Sequence, residues 1–532
     1  MTAQLHYKPG LLRRTNVTDW LSFLAATIVS LVALLLMRLT LRQPMIGLVP
    51  FAAIVCLALL WRFPTLAVFT LFFASTMIEV FPVGFVSTIP NLLPIWRNLT
   101  SMGIAPIPVS PVELLMLTGL AIQFIQGRLR RQDRAPASPV LRLYGVYILI
   151  VLIGGVHGML QGATSNTALQ EIRTQVYGAG ALCVTIRLMR SRDDFERLGW
   201  LIIIGTGLKG LEGTWLYLTS VHGYYNELLA HEEALFFPAY YIFLLLMFIF
   251  GGARRQKRVG LLLLPCVIVA DVSNNRRSST ALLVVALVIL VIIIYTVLVE
   301  RRKRIRRVVS CVIVFLTLYA GAFWNSHTGI AQPVQAIKSQ FAPDSRDALS
   351  NLYRVQEDKN LLAAIQSHLI AGQGYGLPLI NVSGIIDLTD IAPLIRFMPH
   401  NSVLWVWWRV GLIGFVLFWM TVGWTIVRNC FVIRATSDPY IRRWATFAVC
   451  VAGILPLFGW LDMGLHWYRT AIYCWTVIGV AEVLGRSVVA ASRSDTTGAT
   501  IGDNDPAQPW RRVPEAGRIS LPEMDLKLKR NT

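Results

Sequence analysis

Apolar runs of about 20 residues, the length that carries an α-helix across a bilayer, recur from near the start of this chain almost to its end. A lipid interior offers no partner for exposed peptide groups, so such runs are restricted to helices that satisfy their own backbone. The pattern predicts an all-α, polytopic integral membrane protein with about 12–14 transmembrane helices. Spans are expected near 20–37, 44–61, 64–83, 110–126, 140–160, 174–188, 197–219, 232–251, 258–272, 279–299, 308–324, 402–428, 444–461 and 466–484. Only 15% of the 532 residues are charged, against about a quarter in soluble domains. Residues 1–19 are polar and no small-residue cleavage pattern follows Trp20–Met37, so that run is expected to be the first span and not a cleaved leader.

The formal net charge of +20 sits in short loops between the apolar runs. The clusters are Arg128/Arg130/Arg131, Arg187/Arg190/Arg192, Arg254/Arg255/Lys257/Arg258, the run Arg301–Arg307 and Arg434/Arg442/Arg443. Placing the N-terminus in the cytoplasm puts every one of them on the cytoplasmic side, as the positive-inside rule asks. That distribution argues against nucleic acid as a partner and leaves the bilayer. The domain layout follows: a cytoplasmic segment 1–19, N-terminal helices 20–251, a central region 258–428 with one long outer loop at 325–399, C-terminal helices 444–484, and a polar tail 487–532 expected to be disordered in the cytoplasm. The seven cysteines lie mostly in apolar runs without a CxxC, which reads as buried small hydrophobes.

One turn breaks the charge rule. Ser273–Thr280 falls outside in this alternation and carries Arg276 and Arg277. The histidines are equally one-sided: His157, His222, His231, His327, His368, His400 and His466 fall in outer loops or outer helix ends, and His6 inside. Within the long outer loop, Leu349, Leu352, Tyr353, Leu361, Ala364 and Ile365 recur at near-helical spacing, which predicts an amphipathic helix over 345–365 lying on the bundle. Gly372-Gln-Gly-Tyr-Gly376 follows, with glycines that permit positive φ and close backbone approach. As a phosphate cradle the triplet is weak, since it matches no P-loop.

These features suggest a site at the outer mouth. His400 and Asn401 open a span, and a histidine at a helix N-terminus is favoured as neutral imidazole, a form that accepts a hydroxyl proton. The alternative is an interfacial cap. Arg276, Arg277, Arg346 and Arg354 offer the rigid donor fork that suits phosphate oxygens; the alternatives are headgroup contacts or pairing with Asp271, Glu357 or Asp358. Arg409 lies in an apolar run below His400 and either reaches the same cavity or holds a carboxylate such as Glu79 or Asp462. Lys209 and Glu212, three residues apart, are expected to pair, as a structural lock or as part of a pathway. Asp462, His466 and Arg469 bracket a further outer turn, and Glu232 and Glu233 read as solvated interface charges. No metal-ligand spacing appears, so chemistry without a metal or cofactor is expected.

Three pieces in order resemble the O-antigen ligases and related polysaccharide polymerases: Arg277-Ser-Ser-Thr-Ala-Leu-Leu opening an apolar span; Arg354 followed by Gly372-Gln-Gly-Tyr-Gly376; and His400-Asn401 with Gly411-Leu-Ile-Gly414. The resemblance covers about 260–425. It implies a GT-C-like fold in the bacterial plasma membrane. It also implies a metal-independent glycosyl transfer at the outer face, from undecaprenyl diphosphate to an acceptor hydroxyl on a glycan, lipid A-core or protein. Such a protein would serve cell-surface polysaccharide biosynthesis, with polysaccharide-assembly proteins as further partners. Carried to the matching positions, His400 would be the base and Arg277 and Arg354 would hold the diphosphate, with Arg276 as the other choice beside Arg277. Asn401, Arg346 and Arg409 are supporting candidates. The competing readings are a repeat-unit polymerase within the same family and a lipid-linked glycan transporter or flippase.

Overall fold

A computed structural model describes residues 48–80, 93–101, 108–129, 138–219, 228–326, 328–339, 341–390 and 394–501. Among these residues every regular element is a helix, and there is no β-strand. The helices are α1 (Leu48–Arg62), α2 (Leu66–Met77), α3 (Pro111–Leu129), α4 (Pro139–Leu160), α5 (Ser165–Leu188), α6 (Arg192–Thr219), α7 (Glu233–Ile249), α8 (Arg254–Ser273), α9 (Arg277–Val297), α10 (Arg302–Phe323), α11 (Gln332–Lys338), α12 (Ser345–Ser367), α13 (Ser402–Ala435), α14 (Pro439–Leu461) and α15 (Tyr468–Ile501). The chain divides into two compact units, Met1–Val488 and Val489–Thr532, and the described part of the second is the end of α15.

A helix stands at every expected span from 44–61 onward; the span at 20–37 lies outside the described residues. Among the described residues five helical segments are long and apolar enough to cross a membrane: α4, α9, Val299–Phe323, α13 and α14. The α1–α2 pair, bent by 115°, makes a sixth if it is one span. α7 is apolar but shorter. The protein is an all-helical, polytopic membrane protein. Local signals start several helices: Ser138 accepts the Leu141 amide ahead of Pro139, Asp438 accepts the Tyr440 amide ahead of Pro439, and Asp344 accepts the Asp347 amide at the start of α12.

The two ends of the bundle sort the polar groups. At one end Arg443 donates to the Gly251 carbonyl at 2.9 Å, and Arg192 lies over the Tyr440 ring. At the other end of α14, about 34 Å along its 23 residues, Ser402 of α13 donates to the Gly459 carbonyl and His466 meets the Pro399 carbonyl.

α13 is not a continuous helix. Gly411 has φ 65° and ψ −174°, which frees carbonyls in an apolar environment where they need partners. The segment that follows α12 supplies them. Gln373 donates its amide to the Trp408 carbonyl at 2.8 Å, Gly374 donates to Arg409 at 3.2 Å, and Leu412 donates back to Leu369 at 3.0 Å. On its other side the segment meets α4, where Tyr375 donates its amide to Gly154 at 3.1 Å. Gly372, Gly374 and Gly376 all have positive φ, and a Cβ built on Gly158 would stand 2.0 Å from the Tyr375 carbonyl oxygen. These glycines serve backbone-to-backbone contact. The amides of Gln373, Gly374 and Tyr375 are spent within the chain, so the triplet is not a phosphate cradle.

Buried charges knit the helices. Lys209 pairs with Glu212 at 2.9 Å, as its spacing predicts, and also with Glu79 at 2.8 Å. Glu232 and Glu233, expected to be solvated, are 1% and 0% exposed. They turn inward because Arg469, itself fully buried, lies there to pair with Glu233 and to stand 3.6 Å from Glu232.

Candidate active site

α12 carries much of the candidate site. Its C-terminal half packs as the spacing predicts, with Leu361, Ala364 and Ile365 buried. Its first half does not: Leu349 and Leu352 are 65% and 54% exposed, and that half meets the bundle through polar side chains, Asp347 and Asn351 against Arg277. Asp347, Asn351, Arg354 and Asp358 recur at three- and four-residue steps and so share one face. Glu357, 2% exposed, sits at the edge of that face.

His400 stands one residue before Asn401, the cap of α13, whose Oδ1 accepts the Leu404 amide at 3.2 Å. The Glu357 carboxylate holds His400 twice. It accepts the His400 amide at 2.8 Å and lies 3.2 Å from Nδ1. The Tyr353 ring meets the imidazole edge-on at 5.8 Å. With Nδ1 facing a carboxylate, the tautomer that leaves Nε2 as an acceptor is favoured, and the side chain is 22% exposed. Asp358 lies beside Asn401, Arg354 and His400. Burial raises its carboxyl above the ordinary value, while the Asn401 side chain and the charges of Arg354 and His400 oppose that rise. Arg354 is half-buried and makes no hydrogen bond or ion pair among the described residues.

Arg276 and Arg277 diverge. Arg277, first residue of α9, turns to α12 and meets Asp347 Oδ2 at 3.3 Å and Asn351 Oδ1 at 3.4 Å; on α11 it meets Ser339 Oγ at 3.4 Å. Arg276 turns the other way and places Nη1 3.1 Å from His231 Nδ1. That nitrogen is 2.9 Å from Asp462 Oδ1, and the Asp462 carbonyl is 3.4 Å from the Ser402 hydroxyl. The contacts form a closed ring from Arg277 through α12, Glu357, His400, Ser402, Asp462 and His231 to Arg276. Among the described residues Arg277 pairs with Asp347 and not with Asp271, and Asp271 accepts from Ser279 and Tyr241.

Arg409 does not reach this ring. It is fully buried and pairs with Glu171 of α5, not with Glu79 or Asp462. Its Nε donates to Glu171 at 3.0 Å and its Nη1 to the Gly374 carbonyl at 2.9 Å, while Glu171 accepts the Gly376 amide. Arg409 fastens the glycine segment and so supports the site from below. Asp462 joins the mouth, whereas His466 and Arg469 are buried behind it. Arg346 is the second residue of α12, and its side chain lies outside the described residues, as do His6, His222 and His327.

Sequence reasoning left two carboxylates without these roles. Glu357 was visible four residues after Tyr353 on the predicted amphipathic helix, but nothing local ties it to His400. Glu171 is 238 residues from Arg409 and gave no signal. Among the described residues no group of three or more His, Cys, Asp or Glu side chains is arranged to hold a metal ion.

No curated protein matches the chain. Residues 239–419 match the family model described as O-antigen ligase, a stretch that holds Arg276, Arg277, Arg354 and His400. The sequence motifs point to the same family, and the matching stretch runs from α7 to the middle of α13.

Proposed function

We propose that the protein is a membrane glycosyltransferase that moves a glycan from undecaprenyl diphosphate to an acceptor hydroxyl at the outer face of the plasma membrane. The observation that carries this reading is His400 seated on Glu357, with Arg354 one helical turn below Asp358 on the same helix and Arg277 bound to Asn351 of that helix. His400 Nε2 takes the acceptor proton, and the acceptor oxygen attacks the anomeric carbon. The bond from that carbon to the diphosphate oxygen breaks, and the electron pair leaves with the diphosphate. Arg277 and Arg354 stabilise the charge that develops there, the part a divalent ion plays in other transferases. Glu357 fixes the imidazole tautomer and steadies the imidazolium that forms.

Placement at a helix lip suits such a substrate, whose lipid lies in the bilayer and whose sugar lies outside. The ligase reading is kept ahead of the polymerase because the matching stretch is that of the ligase family. The test is glycosyl transfer by purified protein from a natural undecaprenyl-diphosphate glycan extract, with EDTA present. Wild type is run beside His400→Ala and Arg277→Ala. Product from wild type alone, with all three folded, supports the reading, and the acceptor consumed separates ligase from polymerase. Equal product from all three overturns the site. Movement of the lipid-linked glycan across liposomes without bond formation points to a transporter.

A further inference from the structure

The ring around the mouth contains a second histidine–carboxylate pair that the chemistry above does not use. His231 precedes α7 and Asp462 closes α14, and both lie outside the stretch 239–419. His231 Nδ1 stands 2.9 Å and 3.2 Å from the two oxygens of Asp462. Trp467 stacks on the imidazole at 5.5 Å and 23°, which fixes the ring plane. Asp462 is 3% exposed, while the His231 side chain is 28% exposed. His231 Nε2 has no hydrogen-bond partner among the described residues.

A phosphate oxygen brought against Nε2 favours a proton there, as Asp462 favours one on Nδ1. Asp462 also faces Arg276, so the imidazole is held between two charged side chains and is not an isolated interface residue. Burial raises the Asp462 carboxyl, and the charge and hydrogen bond of His231, with the Arg276 charge, bring it well below the usual carboxylate range. Position supplies the rest. Arg276 and Arg277 are consecutive, with Cα atoms about 3.8 Å apart, yet one reaches His231 and the other reaches α12. Arg276 thus ties the His231–Asp462 pair to the turn from which Arg277 reaches α12.

We propose that His231, braced by Asp462 and Arg276, donates Nε2–H to a non-bridging oxygen of the substrate diphosphate. This deepens the function proposed above and rests on it. His231 forms and breaks no covalent bond. It binds the diphosphate in the ground state and holds it more tightly as the departing oxygen gains charge.

The experiment is equilibrium binding of undecaprenyl diphosphate, without glycan, to the full-length protein in nanodiscs. Undecaprenyl monophosphate is run in parallel. His231→Phe keeps a ring against Trp467 and removes the donor, and His231→Gln keeps a neutral donor. A charge-assisted hydrogen bond sets the expected loss for His231→Phe at roughly 10-fold or more in diphosphate affinity. The loss for monophosphate should be smaller, and His231→Gln should fall between wild type and His231→Phe. Asp462→Asn should weaken diphosphate in the same direction. Wild type that binds diphosphate, with a folded His231→Phe or His231→Gln that binds it equally well, overturns this inference and leaves the proposed function standing. Wild type that binds neither lipid removes the proposed function and this inference with it.

Discussion

Oε2 of Glu357 lies 3.2 Å from His400 Nδ1 and 2.8 Å from the His400 amide, so one buried carboxylate sets both the backbone and the ring of the same residue. Replacing Glu357 by Gln keeps the shape and removes the charge that steadies the imidazolium. The expected result is a fall in transfer rate of about 100-fold or more, with donor affinity nearly unchanged. A rate equal to wild type would show that His400 does not rely on this partner.

Arg354 gives the opposite balance between stability and activity. Its guanidinium has no protein partner among the described residues, so Arg354→Ala should leave thermal unfolding in detergent almost unmoved. The loss should fall on the donor, with kcat/KM down roughly 10- to 100-fold. A large drop in melting temperature would assign the side chain to the fold.

Arg409 should behave as a structural residue. Arg409→Leu leaves Glu171 buried and unpaired, which costs about 3–5 kcal/mol of stability. Adding Glu171→Gln should recover part of that loss. Thermal melting of the two single variants and the double variant reads the coupling directly.

At Gly158 a Cβ would meet the Tyr375 carbonyl oxygen at 2.0 Å and its amide nitrogen at 2.8 Å. Gly158→Ala must push the 372–376 segment away from α4, and a marked loss of folded yield is expected. Gly127 in α3 has open space around it. Gly127→Ala should be neutral or slightly stabilising, since alanine narrows the unfolded ensemble. Equal yields from the two variants would contradict the close approach.

Asp462 predicts a pH effect with a definite sign. Its folded value lies below the unfolded one, against the pull of burial and because of His231 and Arg276. The unfolded chain then binds more protons over that interval, and stability rises with pH. The contribution is present above the ordinary carboxylate range and is lost as pH falls below about 4, toward the folded value. Asp462→Asn should flatten the acid side of a plot of melting temperature against pH. An acid limb identical to wild type would mean that the pair does not stabilise the fold.

The helices and most of the mouth were legible because they rest on local signals. The span expected at 444–461 is seen at 439–461, and the amphipathic helix expected at 345–365 is seen at 345–367. Arg276, Arg277 and His400 were visible as exceptions to local rules of charge and apolarity. What stayed hidden was set by partners distant in the sequence. Glu232 and Glu233 look like solvated charges until Arg469, more than two hundred residues later, is brought against them. The break at Gly411 reads as an ordinary glycine in a span, because the backbone that makes it tolerable comes from 369–376.

That break also decides how the molecule comes apart. The carbonyls of Trp408 and Arg409 are paired only while Gln373 and Gly374 lie against them, and the Leu412 amide is paired only while Leu369 does. Neither strand of this splice holds its hydrogen bonds alone, so the two must form and melt together as one cooperative unit. Hydrogen exchange at the amides of Gln373, Gly374 and Leu412 should therefore report a single opening event, with α12 and the candidate base carried along in it.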